Sequence, residues 1–565
     1  MKPNLRWQIL LAAVCLGLVG ALLSFQVQTA GFCTISVPAA GGIFSEGMVG
    51  SPRYLNPLLA GSNPVDRELV DLIFDGLTRY DERGELVPSL ARDWNVGADG
   101  LTVQIFLREG MVWADGTPVT AADVLFTYDL LKMGGEGIPE ALTTFWQEIE
   151  IVATDNYTLL FTLPEPYAPF MAATTIGILP AHALVGVNGD GLAAAAFTAR
   201  PWGTGPFMVA AENDWQATGR LRLVPNPQYW QRPFQIDALE FRFYPNIVTL
   251  IEAYQRGEVQ AINELPSYAM PLITELPDAR FYTATEPRYT QLLFNLSDLA
   301  PGKLPEVEAR QALVQALDQE QLIAEALYGQ ALPLEGPYLP TSWAYNPNWL
   351  TDYEYNPEAA AATLAEVGWS LPPSETIRYR EEVSLTLRLL YPDTVEHEAV
   401  VAELGRQWAA VGAGIEPLPV LPLELPNALE SRGFDIALVD VIPGQDPDLY
   451  DFWSQEAIVR GQNYASWNNR RASEALEVGR QKVGRELRLP YYEKFLRLYD
   501  RDLPAVTLYQ PVRTYVITSE IENVDIGYVQ RPRERYMTAD DWFWLYRNVI
   551  VSCTALDESA SESKQ

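Results

Sequence analysis

The stretch of sequence that most constrains the fold runs from Asp99 to Val124. Residues Thr102 to Leu107 alternate polar and apolar side chains in a run of β-branched and aromatic residues, which predicts a strand with one buried face. The turn formers Asp115 to Pro118 follow, and Thr120 with Asp123 has the spacing of a capping box, so we expect a helix to begin directly after Thr120. A strand, a turn and a capped helix in one block are typical of an α/β domain.

Length and charge set the class of protein. With 565 residues, of which 48% are hydrophobic and 11% aromatic, the chain can build two or three hydrophobic cores. Acidic residues outnumber Lys and Arg by 73 to 40, which gives a formal net charge of -33. Such a charge repels phosphate backbones, so we expect no nucleic-acid partner.

The N-terminus has the pattern of an export segment. Lys2 and Arg6 precede an apolar run from Trp7 to Phe25, which at helical rise is long enough to cross a bilayer. The run is either a signal peptide or an uncleaved anchor. We favour an anchor, because Cys33 follows a phenylalanine instead of the small residue that a lipoprotein requires, and no good cleavage site precedes Gly41. The cations before the run then place the rest of the chain outside the cytoplasm.

Residues that hold metals or act as nucleophiles are scarce. His182 and His397 are the only histidines, and the sequence has no HExxH, CxxC, Walker or GxSxG pattern. We therefore expect no cofactor and no bound metal. Cys33 and Cys553 either pair in an oxidising compartment or remain two free thiols.

Periodicity predicts further elements along the chain. Strands are expected at Gly42 to Val49, Leu385 to Leu390 and Phe434 to Val439. Val65 to Gly76 has helical spacing and ends on glycine. A second amphipathic helix is predicted to run without a break from Val307 to Tyr328.

Several motifs together resemble one family. The block LREGMVWADGTPVTAADV resembles the signature of the family 5 extracellular solute-binding proteins, the receptors of dipeptide, oligopeptide and nickel ABC importers. Other landmarks of that family follow in order: FDGL at Phe74 to Leu77, WGTGPF at Trp202 to Phe207, LLFNL ending at Leu296, and YNPEAAAATLAEVGW at Tyr355 to Trp369. The chain is therefore identified as a member of this family over about Gly42 to Leu545.

The resemblance implies an α/β chain with a two-lobed, periplasmic-binding-protein-like (type II) fold and an additional domain in the N-terminal half. The expected division is an N-terminal signal or anchor segment and linker at 1–41, lobe I at 42–77, 200–288 and 502–549, an extra domain at 78–199, lobe II at 289–501, and a disordered tail at 550–565. Such lobes close on a ligand by a hinge, and this mechanism needs no covalent chemistry.

The resemblance also implies where the ligand is held. In peptide-binding members an aspartate three residues before an Asp-Pro pair holds the α-amino group of the peptide. The pair here is Asp446 and Pro447, and Pro443 stands at the aspartate position. Asp440, three residues earlier, either reaches the cleft or is a solvated strand end. The expected ligand-binding residues are Ser62, Asn63, Tyr289, Gln291, Asp440, Val441 and Gln445.

Three functions remain open at this point. The first is a monomeric extracytoplasmic receptor that delivers a peptide-like or other polar solute to the permease subunits of an ABC importer. The second is the same fold binding an oligosaccharide or a metal chelate, or acting as a sensor. The third is a membrane-anchored hydrolase that uses a carboxylate pair. The scarcity of catalytic patterns favours a binding protein over an enzyme.

We predict that the apolar run Trp7 to Phe25, and not a lipid on Cys33, tethers the protein. A Cys33→Ser variant should stay in the membrane fraction after lysis and centrifugation, because the apolar run alone is long enough to hold it. Release of this variant into the soluble fraction, with the wild type retained, would contradict the prediction.

Overall fold

The computed structural model describes residues 7, 13–21, 32–39, 41–81, 84–211, 215–231, 236–273, 278–300, 304–524, 536, 542–543 and 545–552. Trp7 and residues 13–21 are helical, and the rest of the predicted segment Trp7 to Phe25 lies outside the described residues. Of the helices that are described, none combines the length and the apolar character needed to span a bilayer.

The strands, labelled in chain order, are β1 Phe32–Ala39, β2 Ile43–Val49, β3 Thr78–Tyr80, β4 Leu86–Pro88, β5 Ala91–Val96, β6 Thr102–Leu107, β7 Glu150–Asp155, β8 Thr158–Thr162, β9 Phe207–Val209, β10 Arg220–Pro225, β11 Ala238–Tyr244, β12 Ala261–Leu265, β13 Ala279–Thr285, β14 Tyr289–Phe294, β15 Ala331–Pro333, β16 Tyr379–Arg380, β17 Val383–Ser384, β18 Thr386–Pro392, β19 Gly414–Val420, β20 Ile436–Val441, β21 Ala505–Thr518 and β22 Leu545–Ser552.

The α-helices are Pro64–Ile73, Ala121–Met133, Glu140–Gln147, Phe170–Ala173, Ala196–Ala199, Trp215–Thr218, Ile247–Gln255, Val307–Gln315, Gln319–Leu327, Pro357–Glu366, Val395–Ala409, Leu425–Glu430, Tyr450–Trp453, Ala457–Arg460, Arg470–Gln481 and Arg485–Asp502. Short 3-10 helices occupy Ala60–Ser62, Ala181–Leu184, Ser267–Leu272 and Pro347–Trp349.

One large mixed sheet organises the described residues. Its strand order is β19-β18-β20-β14-β21-β12-β2-β11-β10-β9, and β13 and β15 also pair with β21. Strands β11 and β12 are parallel to β2, and β19 and β20 are parallel to β18. Strand β21 is antiparallel to β14 and β15 along its first half and to β12 and β13 along its second half. The two halves of the sheet therefore share this strand.

The strand, turn and capped helix expected in the first part of the chain are confirmed. Strand β6 buries alternate residues and lies inside a sheet ordered β5-β6-β8-β7. The helix begins at Ala121 with a capping box, in which the Thr120 N–H donates to the Asp123 carboxylate at 2.9 Å. The other carboxylate oxygen of Asp123 accepts from the Ala181 N–H at 3.0 Å. The capping residue thus also ties this helix to a distant segment.

Two element boundaries differ from the prediction. The helix predicted from Val307 to Tyr328 is two helices, because Asp318 accepts a hydrogen bond from the Gln321 N–H at 2.9 Å and caps a new helix there. The helix predicted to reach Gly76 ends at Ile73.

The linker and the tail also differ from the expectation. Strands β1 and β22 form an antiparallel ladder, with Cys33 opposite Val551. Residues 32–39 and 550–552, which were assigned to the linker and the tail, are therefore in strands. Both segments are rich in β-branched residues, which favour such a pair. Cys553, which the sequence leaves either paired with Cys33 or free, lies outside the described residues.

One hydrophobic core continues from the β2 half of the large sheet into the β5–β8 sheet. It contains Phe44 and Phe241 of the large sheet together with Ile105 and Leu159 of the smaller one. The segment expected as an extra domain therefore shares its core with one half of the large sheet. We call this unit, residues 41–285 and 514–524, the first body.

The other half of the large sheet has its own packing. One cluster surrounds Leu313 and Leu389, and another surrounds Tyr492 and Phe495. We call this unit, residues 289–509, the second body. The chain passes between the bodies at residues 286–288 and again within β21.

The WGTGPF motif is explained by a close approach of backbones. The Gly205 N–H donates to the Ile73 carbonyl at 2.9 Å, at the end of helix Pro64–Ile73. A Cβ on Gly205 would lie 2.6 Å from the carbonyl carbon of Ile73, and one on Gly203 would also meet that backbone. Only glycine fits without moving the helix end.

We predict that Gly205→Ala lowers the stability of the protein by about 1 to 3 kcal/mol, the usual cost of overpacking. Gly405→Ala, inside helix Val395–Ala409, is a matched control, because its Cβ would lie 3.8 Å from the nearest neighbouring atom, Ile415 Cδ1. That control should be neutral or should gain about 0.5 to 1 kcal/mol. Thermal unfolding measures both, and equal midpoints for the two variants would contradict the packing account.

Candidate functional site

The carboxyl ends of the parallel strands define one edge in each body. Strands β2, β11 and β12 end at Val49, Tyr244 and Leu265, and β18 and β20 end at Pro392 and Val441. In open α/β sheets, ligands bind in the crevice outside such carboxyl ends. The two edges are therefore the candidate walls of a binding site.

A pair of hydrogen bonds shows that these edges face each other. Ser267 lies just beyond β12 in the first body, and Glu396 lies in the first turn of helix Val395–Ala409 in the second. The Ser267 N–H and hydroxyl donate to Glu396 Oε1 at 3.1 and 2.6 Å. The bodies thus enclose a cleft beside the two chain crossings.

A charged cluster lies at the base of this cleft. Arg288 donates from Nε to Glu286 Oε2 at 2.5 Å and from Nη1 to Asp440 Oδ2 at 2.6 Å. The Thr290 hydroxyl donates to Asp440 Oδ1 at 2.6 Å, and His397 Nε2 lies 3.6 Å from the same oxygen. A cavity of about 50 Å³ is lined here by Glu264, Ser267, Glu286, Arg288, Glu396, His397 and Tyr509, among others. It has room for a few water molecules.

The charges in the cluster stabilise one another. Burial opposes ionisation of Asp440, but the Arg288 guanidinium, His397 and Thr290 together hold the pKa of that carboxyl well below its usual range. Burial would likewise lower the pKa of Arg288, and the carboxylates of Glu286 and Asp440 raise it instead. At neutral pH Asp440 is therefore an ionised group with a cation already beside it.

Four of the expected ligand-binding residues come together on one pair of strands. In the β14–β20 ladder, Tyr289 lies opposite Val441 and Thr290 opposite Asp440, with Gln291 next along β14. Asp440 belongs to β20, which extends two residues beyond the predicted end at Val439. It is therefore not part of the loop after the strand, because its pairing with Thr290 keeps it in the ladder.

Three of these four side chains are buried in this closed arrangement. Tyr289 and Val441 pack in the cluster around Tyr492, and Gln291 is buried as well. Among the described residues, the Tyr289 hydroxyl and Gln291 Oε1 have no hydrogen-bond partner. Leaving a buried polar group unsatisfied costs about 1 to 3 kcal/mol. Of the four, only the Asp440 side chain combines charge with partial exposure.

The remaining expected residues lie elsewhere. Asn63 caps helix Pro64–Ile73, with Oδ1 accepting from the Val65 N–H and Nδ2 donating to the Ser51 carbonyl, both at 2.9 Å. These bonds stay within its own loop and do not reach the β14–β20 pair. Ser62 ends a 3-10 turn, and its side chain lies outside the described part of the chain. Gln445 is half-buried on the loop after β20.

The loop after β20 carries two buried ion pairs that sequence reasoning missed. Arg488 Nη1 donates to Asp446 Oδ2 at 2.6 Å, and Arg480 Nη2 lies 2.8 Å from Asp448 Oδ2. Both arginines lie on later helices, and no local pattern marks them as partners. Burial raises the pKa of Asp448 to about 6; Arg480 opposes this rise and the neighbouring Asp446 adds to it. The Asp-Pro pair is therefore fixed by the second body itself.

Arg288, Glu396 and His397 were also absent from the predicted set. One signal was present in the sequence: His397 is one of only two histidines, and the structure places it in the first turn of helix Val395–Ala409. The pairing of Arg288 with Asp440 joins two distant strands, and periodicity does not reveal it.

Comparisons with known proteins agree with this architecture. The sequence profile described as bacterial extracellular solute-binding proteins, family 5 Middle, matches residues 85–458. The oligopeptide-binding protein AppA of Bacillus subtilis (strain 168) is 25% identical over 519 residues, which cover 90% of this chain and 92% of AppA.

Two solved structures show the same fold. AppA from Bacillus subtilis in complex with a nonapeptide matches with a TM-score of 0.68 at 22% identity, over 90% of this chain and 99% of that one. NikA from Brucella suis in complex with Fe(III)-EDTA matches with a TM-score of 0.75 at 19% identity, over 87% and 99%. The predicted two-lobed α/β fold is thus confirmed.

We predict that Asp448→Asn flattens the pH dependence of stability. The folded state of the wild type holds the Asp448 proton more tightly than the unfolded state does. The resulting stabilisation is present below the ordinary pKa of 3.8 and is lost as the pH rises through about 6. Between about pH 5 and about pH 7.5 the wild type should lose on the order of 1 kcal/mol more than the variant, the size of a shift of one pKa unit.

Urea denaturation at the two pH values measures this difference. Asp451→Asn is the control, because Asp451 lies 3.8 Å from the same arginine but its side chain is 70% exposed. The control should follow the wild type. Parallel pH curves for the wild type and Asp448→Asn would contradict the prediction.

Proposed function

Because the chain belongs to family 5 of the bacterial extracellular solute-binding proteins, we propose that its cleft receives a polar, peptide-like solute for the permease of an ABC importer. The resemblance inferred from the sequence is confirmed by the family match. Proteins of this family bind solutes and do not convert them, so the chain is a binding protein and not an enzyme. It acts outside the cytoplasm, as the family does.

The observation that carries the proposal is that the carboxyl ends of the parallel strands in one body face those in the other body across the cleft. Each body brings the loops that follow its parallel strands to the cleft. Among the described residues, the chain crosses from one body to the other only at residues 286–288 and within strand β21. Two bodies with separate cores and a narrow connection can open to admit a solute and close around it. The bonds from Ser267 to Glu396 are then contacts of the closed state.

The charged groups at the base of the cleft indicate how a solute would be held there. Pro443 cannot pair with an ammonium group, and Asp440 is already bonded to Arg288 and Thr290. A peptide amino group would have to displace or share a charge-assisted hydrogen bond, which is worth about 1.5 to 3 kcal/mol. We therefore propose that this cleft binds a peptide-like solute without selecting its free α-amino group.

An alternative solute is a metal chelate. The likeness to NikA with bound Fe(III)-EDTA supports it, because a fold of this shape accepts such a compound there. Oligosaccharides and a sensor role stay open on the same fold. The hydrolase considered from the acidic composition is set aside, since the family is not enzymatic.

The finer organisation is also a proposal. We propose lobes at 42–77, 200–288 and 502–549 and at 289–501, with the extra domain at 78–199. The segment Trp7 to Phe25 would anchor a monomer to the membrane beside its permease. The shared core of the first body supports motion of the extra domain together with the first lobe.

The test is a titration of one binding peptide with and without N-acetylation. A thermal-shift screen over peptides of two to nine residues identifies the binder, since a ligand of the native state raises the midpoint. We expect acetylation to change the dissociation constant of the wild type by less than about tenfold, about 1.4 kcal/mol. Asp440→Asn should show the same small difference between the two peptides.

Asp451→Asn serves as the control, because it removes an exposed acid of the same body. Suppose that N-acetylation of the peptide abolishes its binding to the wild type, and that the Asp440→Asn substitution abolishes binding of the unmodified peptide. Asp440 is then the amino anchor, and the proposed mode of binding is wrong. If no peptide in the screen raises the midpoint, the peptide-like solute itself is excluded.

A further inference from the structure

Arg480 lies between two aromatic rings that belong to different bodies. Its guanidinium carbon is 5.0 Å from the ring centre of Tyr167 and 4.5 Å from that of Tyr450. Tyr167 follows β8 in the first body. Arg480 is on helix Arg470–Gln481 and Tyr450 is on helix Tyr450–Trp453, and both helices belong to the second body. A guanidinium at this distance is attracted to the face of each ring.

A buried carboxylate fixes the guanidinium in this position. Asp448 Oδ2 accepts from Arg480 Nε at 3.0 Å and lies 2.8 Å from Nη2. The side chains of Arg480 and Asp448 are only 15% and 7% exposed. Bulk water therefore screens the pair weakly, and Arg480 has little freedom to turn away from Tyr167.

A backbone hydrogen bond joins the bodies at the same place. The Ala168 N–H donates to the Arg480 carbonyl at 2.8 Å. Nearby, Arg485 pairs with Glu85 of the first body, but both side chains are more than half exposed, so this pair contributes little. A Cβ on Gly100 would lie 3.4 Å from Val483 Cγ2, which shows how closely the bodies approach here.

We infer that Tyr167, Arg480 and Tyr450 form a clamp that closes the first body on the second without a bound solute. Every group in the contact belongs to the protein, and the arginine is neutralised by its own body before the first body docks on it. The closed state is then populated before binding, and a solute that favours it adds to that population. The inference rests on the proposed cleft but not on the identity of the solute.

Hydrogen exchange at the Ala168 amide tests the clamp in the full chain with no solute added. This amide is protected only while the bodies are in contact, whereas the Leu163 amide donates to the Leu101 carbonyl at 2.8 Å within the first body and serves as the reference. In the wild type the Ala168 amide should be protected. In Arg480→Gln its exchange should rise at least about tenfold, about 1.4 kcal/mol, with Leu163 unchanged.

Arg470→Gln is the matched control. It lies on the same helix, its side chain is 81% exposed, and its ion pair with Glu474 stays within that helix. Exchange of Ala168 in this variant should equal that of the wild type. Loss of protection at both Ala168 and Leu163 in Arg480→Gln would mean general destabilisation and would overturn the clamp.

Two substitutions of Tyr167 separate the ring from the hydroxyl. Tyr167→Phe keeps the aromatic face and should retain protection of Ala168, whereas Tyr167→Leu should lose it. Equal exchange in these two variants would overturn the clamp, as would an unprotected Ala168 amide in the wild type. If the protein binds no peptide, these rates are still expected, so failure of the proposed solute and failure of the clamp give different results.

Discussion

Strand β21 is the constraint on which the rest of the structure depends. Its residues Ala505 to Tyr509 pair with β14 in the second body, and Thr514 to Ile517 pair with β12 in the first. The other crossing is tied to it, because the Glu286 N–H donates to the Pro511 carbonyl at 2.9 Å and Gln510 Nε2 donates to the Glu286 carbonyl at 2.6 Å. Two crossings bonded side by side allow bending but resist sliding, which makes them a hinge.

The same hinge determines the charge at the base of the cleft. Arg288 is the last residue of the shorter crossing, and its position places the guanidinium between Glu286 and Asp440. The acid that could have held a peptide amino group is thereby already paired with a cation of the chain itself. Pro443 removes the other candidate position. In the proposed mode of binding, one arginine therefore links the connection between the bodies to the choice of solute.

Local patterns in the sequence predicted the local structure well. Residues only a few positions apart determine both the alternation in β6 and the capping box of Thr120 and Asp123. The prediction failed where distant residues decide. The strand was predicted to end at Val439, yet the bonds of Asp440 to Thr290 and Arg288 keep that residue in β20. The bonds of Ser267 to Glu396 and of Arg480 to Asp448 likewise join distant segments, which periodicity cannot reveal.

The central claim is that this chain binds a solute and releases it unchanged. Native mass spectrometry of the purified full chain, incubated with a defined mixture of intact peptides of two to nine residues and of chelated metals, tests it most directly. The account predicts a complex of one protein with one peptide, and the mass of the peptide ejected from that complex should equal the mass supplied. Cleaved peptide in the complex, or no complex with any compound of the mixture, would contradict it.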